Sequence, residues 1–101
     1  MQSNVFIHKR DHGITFISND ILKSNKLSLK AKGLYSFLCT LPEGQEIHKT
    51  ELTSCSSDGK DSVFTAFSEL EEAGFLEKKC SLDNGLRRVY YNFTRELKGD
   101  N

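Results

Sequence analysis

The dipeptide Asn84-Gly85 constrains this chain more than any other pair of residues. It separates two β-prone runs, Leu76-Glu77-Lys78-Lys79-Cys80-Ser81-Leu82 and Leu86-Arg87-Arg88-Val89-Tyr90-Tyr91-Asn92-Phe93. Both turn residues tolerate the positive φ of a type I′ turn, whose twist matches that of the strands it joins. A two-residue turn sets the register: Leu82 faces Arg87, Cys80 faces Val89, Lys78 faces Tyr91 and Leu76 faces Phe93. Since alternate side chains share a face, Leu76, Cys80, Val89, Tyr91 and Phe93 are expected on the inner one.

The segment before this hairpin reads as helices. Leu27, Ala31, Leu34, Leu38 and Leu41 recur at helical spacing, with Ser28 as N-cap and Pro42 as stop. Gly33 inside that helix costs about 1 kcal/mol against Ala, so it is expected where a neighbouring element approaches closely. Ser18 caps an earlier short helix through Leu22 that ends near Ser24-Asn25. After the Pro42-Glu43-Gly44 turn, Ile47 adds a short strand and Lys49 to Ser54 a brief helix carrying Leu52 inward. The next helix is capped by Asp58, with Asp61 in the reciprocal capping-box position. Val63, Ala66, Phe67 and Leu70 form its buried stripe and Ala73-Gly74 its end.

At the N-terminus, Val5-Phe6-Ile7-His8-Lys9 and Ile14-Thr15-Phe16-Ile17 flank Arg10-Asp11-His12-Gly13 as a second hairpin. The order is hairpin, helix, short strand, helix, turn, helix, two-stranded wing. This is an α+β winged helix-turn-helix with a three-helix core, spanning residues 1–97 before a frayed end at 98–101. A chain of 101 residues has room for one such domain and one modest core.

Composition excludes several classes. Cys39, Cys55 and Cys80 are odd in number and widely spaced, fitting neither a disulfide framework nor a zinc site, and read as small apolar fillers. His8, His12 and His48 have no ligand-like neighbour, so no metal or cofactor is implied. Nothing resembles a nucleophile elbow, a phosphate-cradling glycine loop or a metal motif, and an enzyme is not expected. The first residues lack the pattern of a secretory signal and no stretch reaches membrane-spanning length, which points to the cytoplasm. Lysine plus arginine and aspartate plus glutamate each number 14, giving a formal charge of zero. Strong non-specific attraction to phosphate is therefore not expected.

Between Ile14 and Leu76 the sequence resembles the N-terminal domains of phage and plasmid replication initiators of low-GC Gram-positive bacteria, the replisome-organiser and DnaD-like proteins. The resemblance rests on Ile17-Ser18-Asn19-Asp20-Ile21-Leu22, on Leu27-Ser28-Leu29-Lys30-Ala31-Lys32-Gly33-Leu34 and on Leu41-Pro42. Its most specific part is Asp58-Gly59-Lys60-Asp61-Ser62-Val63, continuing to Glu69-Leu70-Glu71-Glu72-Ala73-Gly74-Phe75-Leu76. It implies a winged helix that docks on double-stranded DNA through the helix starting at Gly59, in replication or transcriptional regulation, within a bacterium or a phage's host. The family commonly carries a basic residue after the Val of Gly-x-Asp-Ser-Val, where this chain has Phe64.

The outward positions of that helix are Asp61, Thr65, Ser68 and Glu72, with Ser62 and Phe64 on its flanks. Ser62, Thr65 and Asp61 are the candidates for base-edge contact, because a groove-docked helix reads bases from its N-terminal half. Ser57 and Lys60 are candidates for phosphate at the helix N-terminus. Lys79, Arg87 and Arg88 are candidates on the wing, beside Lys78. Solvated surface is the alternative for each of them. Phe64 either wedges under the wing or is an exposed anchor for a protein partner. The second functional reading is accordingly a protein-binding winged helix that engages a host or replication protein. A homodimer joined through the N-terminal hairpin is the expected acting form, since one small module reads few base pairs.

Overall fold

Serines open both of the early helices. The computed structural model describes residues 13–97. In it the Asp20 N–H donates to Ser18 Oγ at 3.1 Å ahead of α1 (Asn19–Lys23). The Ala31 N–H donates to Ser28 Oγ at 3.1 Å ahead of α2 (Leu29–Cys39). Each hydroxyl satisfies a backbone donor that the first helical turn leaves free, as the sequence predicts. Ala31, Leu34 and Leu38 are buried along α2, with Leu27 and Leu41 packed at its rim. Tyr35 and Cys39, each one position past a stripe residue, are buried too and widen the apolar face.

Gly33 departs from expectation. It is exposed, and a Cβ added there would meet nothing within 4 Å. Two residues past Ala31, it lies about 200° around the helix, on the face turned away from the stripe.

Beyond Pro42 the chain returns to the sheet at one point. Ile47 and Tyr91 exchange backbone hydrogen bonds of 2.9 and 2.8 Å, an isolated antiparallel bridge. The brief helix that follows, Lys49–Ser54, is a 3₁₀ helix and does carry Leu52 into the core.

Helix α3 (Lys60–Glu72) buries Val63, Ala66, Phe67 and Leu70 as its periodicity predicts. Its N-cap is Gly59, whose carbonyl accepts from the Val63 N–H at 3.1 Å, and no side chain caps it. The expected capping role of Asp58 is therefore corrected. The Asp58 N–H donates to Ser56 Oγ at 3.2 Å, so this residue belongs to a serine-closed turn one position before the cap. At the other end Gly74 takes φ +95°, the Phe75 N–H donates to the Leu70 carbonyl and the Gly74 N–H to that of Glu71. This is a Schellman ending, with Phe75 and Leu70 both buried across it.

Strands β1 (Leu76–Asp83) and β2 (Leu86–Phe93) pair antiparallel in the register that Asn84-Gly85 predicts, the two turn residues having φ of 53° and 80°. Burial follows that register only at the base. Leu76 and Tyr91 are buried and Phe93 half-buried, whereas Cys80 is exposed and Val89 39% exposed. Eight paired residues extend roughly 26 Å, while helices pack at only about 8–10 Å separation, so the distal half of the hairpin overhangs the core. Of the three cysteines, Cys39 is the buried filler expected, Cys55 is half-buried and Cys80 is neither.

The base of the hairpin closes the core through edge-to-face ring contacts. Phe67 meets Tyr91 at 4.6 Å, and Tyr35 meets Phe75 at 5.2 Å and Phe93 at 5.4 Å. The Tyr35 hydroxyl donates to the Arg95 carbonyl at 2.6 Å, so its polar end is satisfied where the ring is buried. The result is an α+β fold of helices and a two-stranded antiparallel sheet.

The first arm of the N-terminal hairpin and the turn residues 10–12, and with them the expected dimer contact, lie outside the described residues, as do residues 98–101. Its second arm, residues 14–17, is in no strand. The Phe16 carbonyl instead accepts from Arg95 Nη2 and Ile17 packs against the core, so this stretch is tied down by a side chain and by burial. Among the described residues no helix is long and apolar enough to cross a membrane.

Candidate nucleic-acid interface

The start of α3 presents the expected helix residues at the surface. Ser57, Lys60, Asp61 and Thr65 are exposed, Ser62 is half-buried, and Ser68 continues the exposed face. With Gly59 as cap and no side-chain acceptor, the first backbone N–H groups and the positive end of the helix dipole face outward. Thr65 Oγ1 donates to the Asp61 carbonyl at 2.8 Å. In that rotamer its hydroxyl offers lone pairs and its methyl group to a neighbour, and no proton.

Phe64 is placed by contacts that sequence reasoning could not see. Its ring packs against the core, with Lys49 Nζ 4.7 Å from the ring centre and Lys60 Nζ 5.6 Å from it. The ring therefore sits between the 3₁₀ helix and the start of α3, and two ammonium groups gather around its face. Lys49 is the basic residue missed from sequence. A lysine at the start of a short helix gives no signal, and only folding sets it against the Phe64 ring that Lys60 also approaches.

The hairpin bases divide between two faces. By the observed register, Lys78 and Arg87 share the face whose base, Tyr91, meets Phe67 of α3, while Lys79 and Arg88 lie on the outer face. On the inner face Arg87 Nη2 lies 3.9 Å from Cys80 Sγ. Among the described residues neither Arg87 nor Lys60 has an ion-pair partner. Lys79 Nζ lies 3.5 Å from Glu77. Arg88 is held by two acids: Nη1 and Nη2 donate to Glu46 at 2.7 and 3.2 Å, and Nε donates to Asp83 at 3.1 Å. This arrangement lowers the Glu46 pKa, first through the Arg88 hydrogen bonds, and raises that of Arg88 for the same reason. Lys60 and Arg87 thus have free positive charge, and Arg88 does not.

The tip of the hairpin is apolar, with Leu82 73% and Leu86 72% exposed. A hollow lies elsewhere, between residues 13–18, the C-terminal end of α2 and residues 93–96, and it includes none of the residues of this interface. No group of three or more His, Cys, Asp or Glu among the described residues is placed to hold a metal ion. No protein-family model, curated protein or solved structure matches this chain.

Proposed function

We propose that this chain is a winged helix-turn-helix module that binds double-stranded DNA without catalysing a reaction, with α3 as the reading helix and the β1–β2 hairpin as its wing. One observation carries the reading. A long helix with an exposed polar N-terminal half is followed directly by an overhanging hairpin, and cations without acidic partners stand on both elements. Lys60 and Arg87, joined by Lys49 and Lys78, serve phosphates. Asp61, Ser62 and Thr65 serve base edges, Asp61 as an acceptor for cytosine N4 and Thr65 through its methyl group and lone pairs. The zero net charge fits a site that owes its affinity to a fitted surface more than to general attraction. Action in replication or transcriptional regulation, as a homodimer in a bacterial cytoplasm, completes the proposal.

Selection of bound duplexes from a random pool, followed by titration across salt, tests it. Lys60→Ala with Arg87→Ala weakens binding to every duplex and flattens the salt slope by about 0.9 for each phosphate that is no longer neutralised. Thr65→Ala costs about 1–3 kcal/mol at the selected site and leaves binding to unrelated duplex nearly unchanged. No enrichment from the pool, or a double variant that binds as tightly as the parent at every salt concentration, refutes the reading.

The exposed Leu82 and Leu86 support a second reading, a winged helix whose apolar tip engages a host or replication protein. Phe64 does not strengthen it, being covered by Lys49 and Lys60.

A further inference from the structure

Arg88 lies on the outer face of the hairpin and is engaged by two acids. Three of its five N–H donors are directed at carboxylates, two of them in the side-by-side geometry a phosphate would demand. Glu46 and Asp83 bring two negative charges to one positive charge, and His48 Nε2 stands 3.5 Å from Glu46 Oε1. Glu46 reaches Arg88 because the bridge between Ile47 and Tyr91 lays residues 46–48 along the free edge of β2. By register, Glu46 and His48 then share the outer face with Arg88, Tyr90 and Asn92. The side chains of Arg88 and Glu46 remain 42% and 38% exposed, so water screens the pair, while its bidentate geometry and the second acid at Asp83 make it worth more than a lone surface pair. The clamp also cancels the charge of Arg88 on an outer face whose other cation, Lys79, lies beside Glu77.

We propose that Glu46 is an affinity-setting residue of the DNA-binding surface: its carboxylate occupies the phosphate-binding fork of Arg88 and so withholds one backbone contact. The proposal rests on the DNA-binding reading above and deepens it. A phosphate reaching Arg88 must displace Glu46 and then lie beside the carboxylate it displaced. The two like charges make that exchange unfavourable, and the parent protein binds without the contact that Arg88 offers. Weakened attraction to arbitrary duplex is the consequence, since every duplex presents the same phosphates.

The test compares the full chain with Glu46→Gln, Arg88→Ala and the double variant by fluorescence anisotropy. The probes are a duplex selected from a random pool and an unrelated duplex of equal length, titrated across salt. Glutamine keeps the size and one acceptor but removes the charge. Glu46→Gln is expected to bind both duplexes more tightly, with a salt slope steeper by about 0.9, which is roughly a further threefold drop in affinity between 50 and 200 mM salt. Arg88→Ala alone leaves the parent slope in place, and the double variant loses the gain. A purely structural role for the pair predicts the reverse, a lower melting temperature with weaker binding and no change of slope. Asp83→Asn loosens the same guanidinium from the other side and is expected to move the slope in the same direction, which keeps the test open should Glu46→Gln fold poorly. Unchanged slopes in both carboxylate variants, or an Arg88→Ala slope already flattened by about 0.9, overturn the proposal while leaving DNA binding intact. Absence of binding by parent and variants to any duplex overturns the DNA reading and this proposal with it.

Discussion

Ser28 joins α2 to α3 with one hydroxyl and one amide, and its removal is expected to be costly for a residue at the surface of a small domain. Its Oγ accepts from the Ala31 N–H and donates to Glu69 Oε2 at 2.7 Å, while its backbone N–H donates to Glu69 Oε1 at 2.9 Å. Glu69 supplies from α3 what the third residue of a helix supplies in a capping box, a carboxylate for the N–H of the cap. Ser28→Ala deletes the cap, about 1 kcal/mol. It also deletes a charge-assisted hydrogen bond, worth about another 1 kcal/mol after allowance for solvent at a half-buried site. About 2 kcal/mol in a domain of this size lowers the melting temperature by roughly 10 °C, readable by circular dichroism. Glu69→Gln costs less, about 1 kcal/mol, because an acceptor remains, and the double variant costs less than the sum since both changes break one shared bond. The two Ser28 donors hold the Glu69 carboxyl below its ordinary pKa. A depressed folded value means that this stabilisation is complete above the ordinary carboxylate range and is lost as pH falls through the folded value. The gap between parent and Glu69→Gln is therefore full at neutral pH and closes in acid. A Ser28→Ala protein melting within about 2 °C of the parent, or a gap that widens as pH falls, refutes this account of how α2 and α3 are joined.

Gly33→Ala is expected to stabilise the chain by about 1 kcal/mol, since the position is interior to a helix and an added methyl group meets open space; an unchanged or lower denaturant midpoint contradicts it. Cys80 is expected to react with a thiol reagent in the native protein while Cys39, buried and with its pKa raised mainly by that burial, reacts only on unfolding, so native labelling at Cys39 followed by peptide mass mapping would contradict the packing described.

Much of the fold was legible because its signals are local. The turn at Asn84-Gly85, the caps Ser18 and Ser28 and the glycine ending of α3 depend on backbone preferences of one or two residues, and each is found where the sequence predicts it. The buried stripes of α2 and α3 followed from period alone. Asp58 misled because a carboxylate ahead of a helix reads as a cap, while Ser56 competes for the same few atoms of backbone. Cys80 and Val89 misled because alternation assigns a face to a side chain but does not say how far the opposing core extends.

The interface was less legible for the same reason. Ser57, Lys60, Asp61, Ser62 and Thr65 are close in sequence, and a helix places them predictably. Arg87 and Arg88 are neighbours that sequence treats alike, yet they point to opposite faces of a hairpin, and only one of those faces meets Glu46, 42 residues distant from Arg88. Lys49 beside Phe64, Glu69 at the cap of Ser28 and Glu46 at Arg88 are pairings between elements. Period and turn chemistry set the elements of this protein by themselves, because those forces act within a few residues along the chain. Which cations stand free and which are paired was decided only when the elements docked, because electrostatic and hydrogen-bond partners are chosen by distance in space and not by order in sequence.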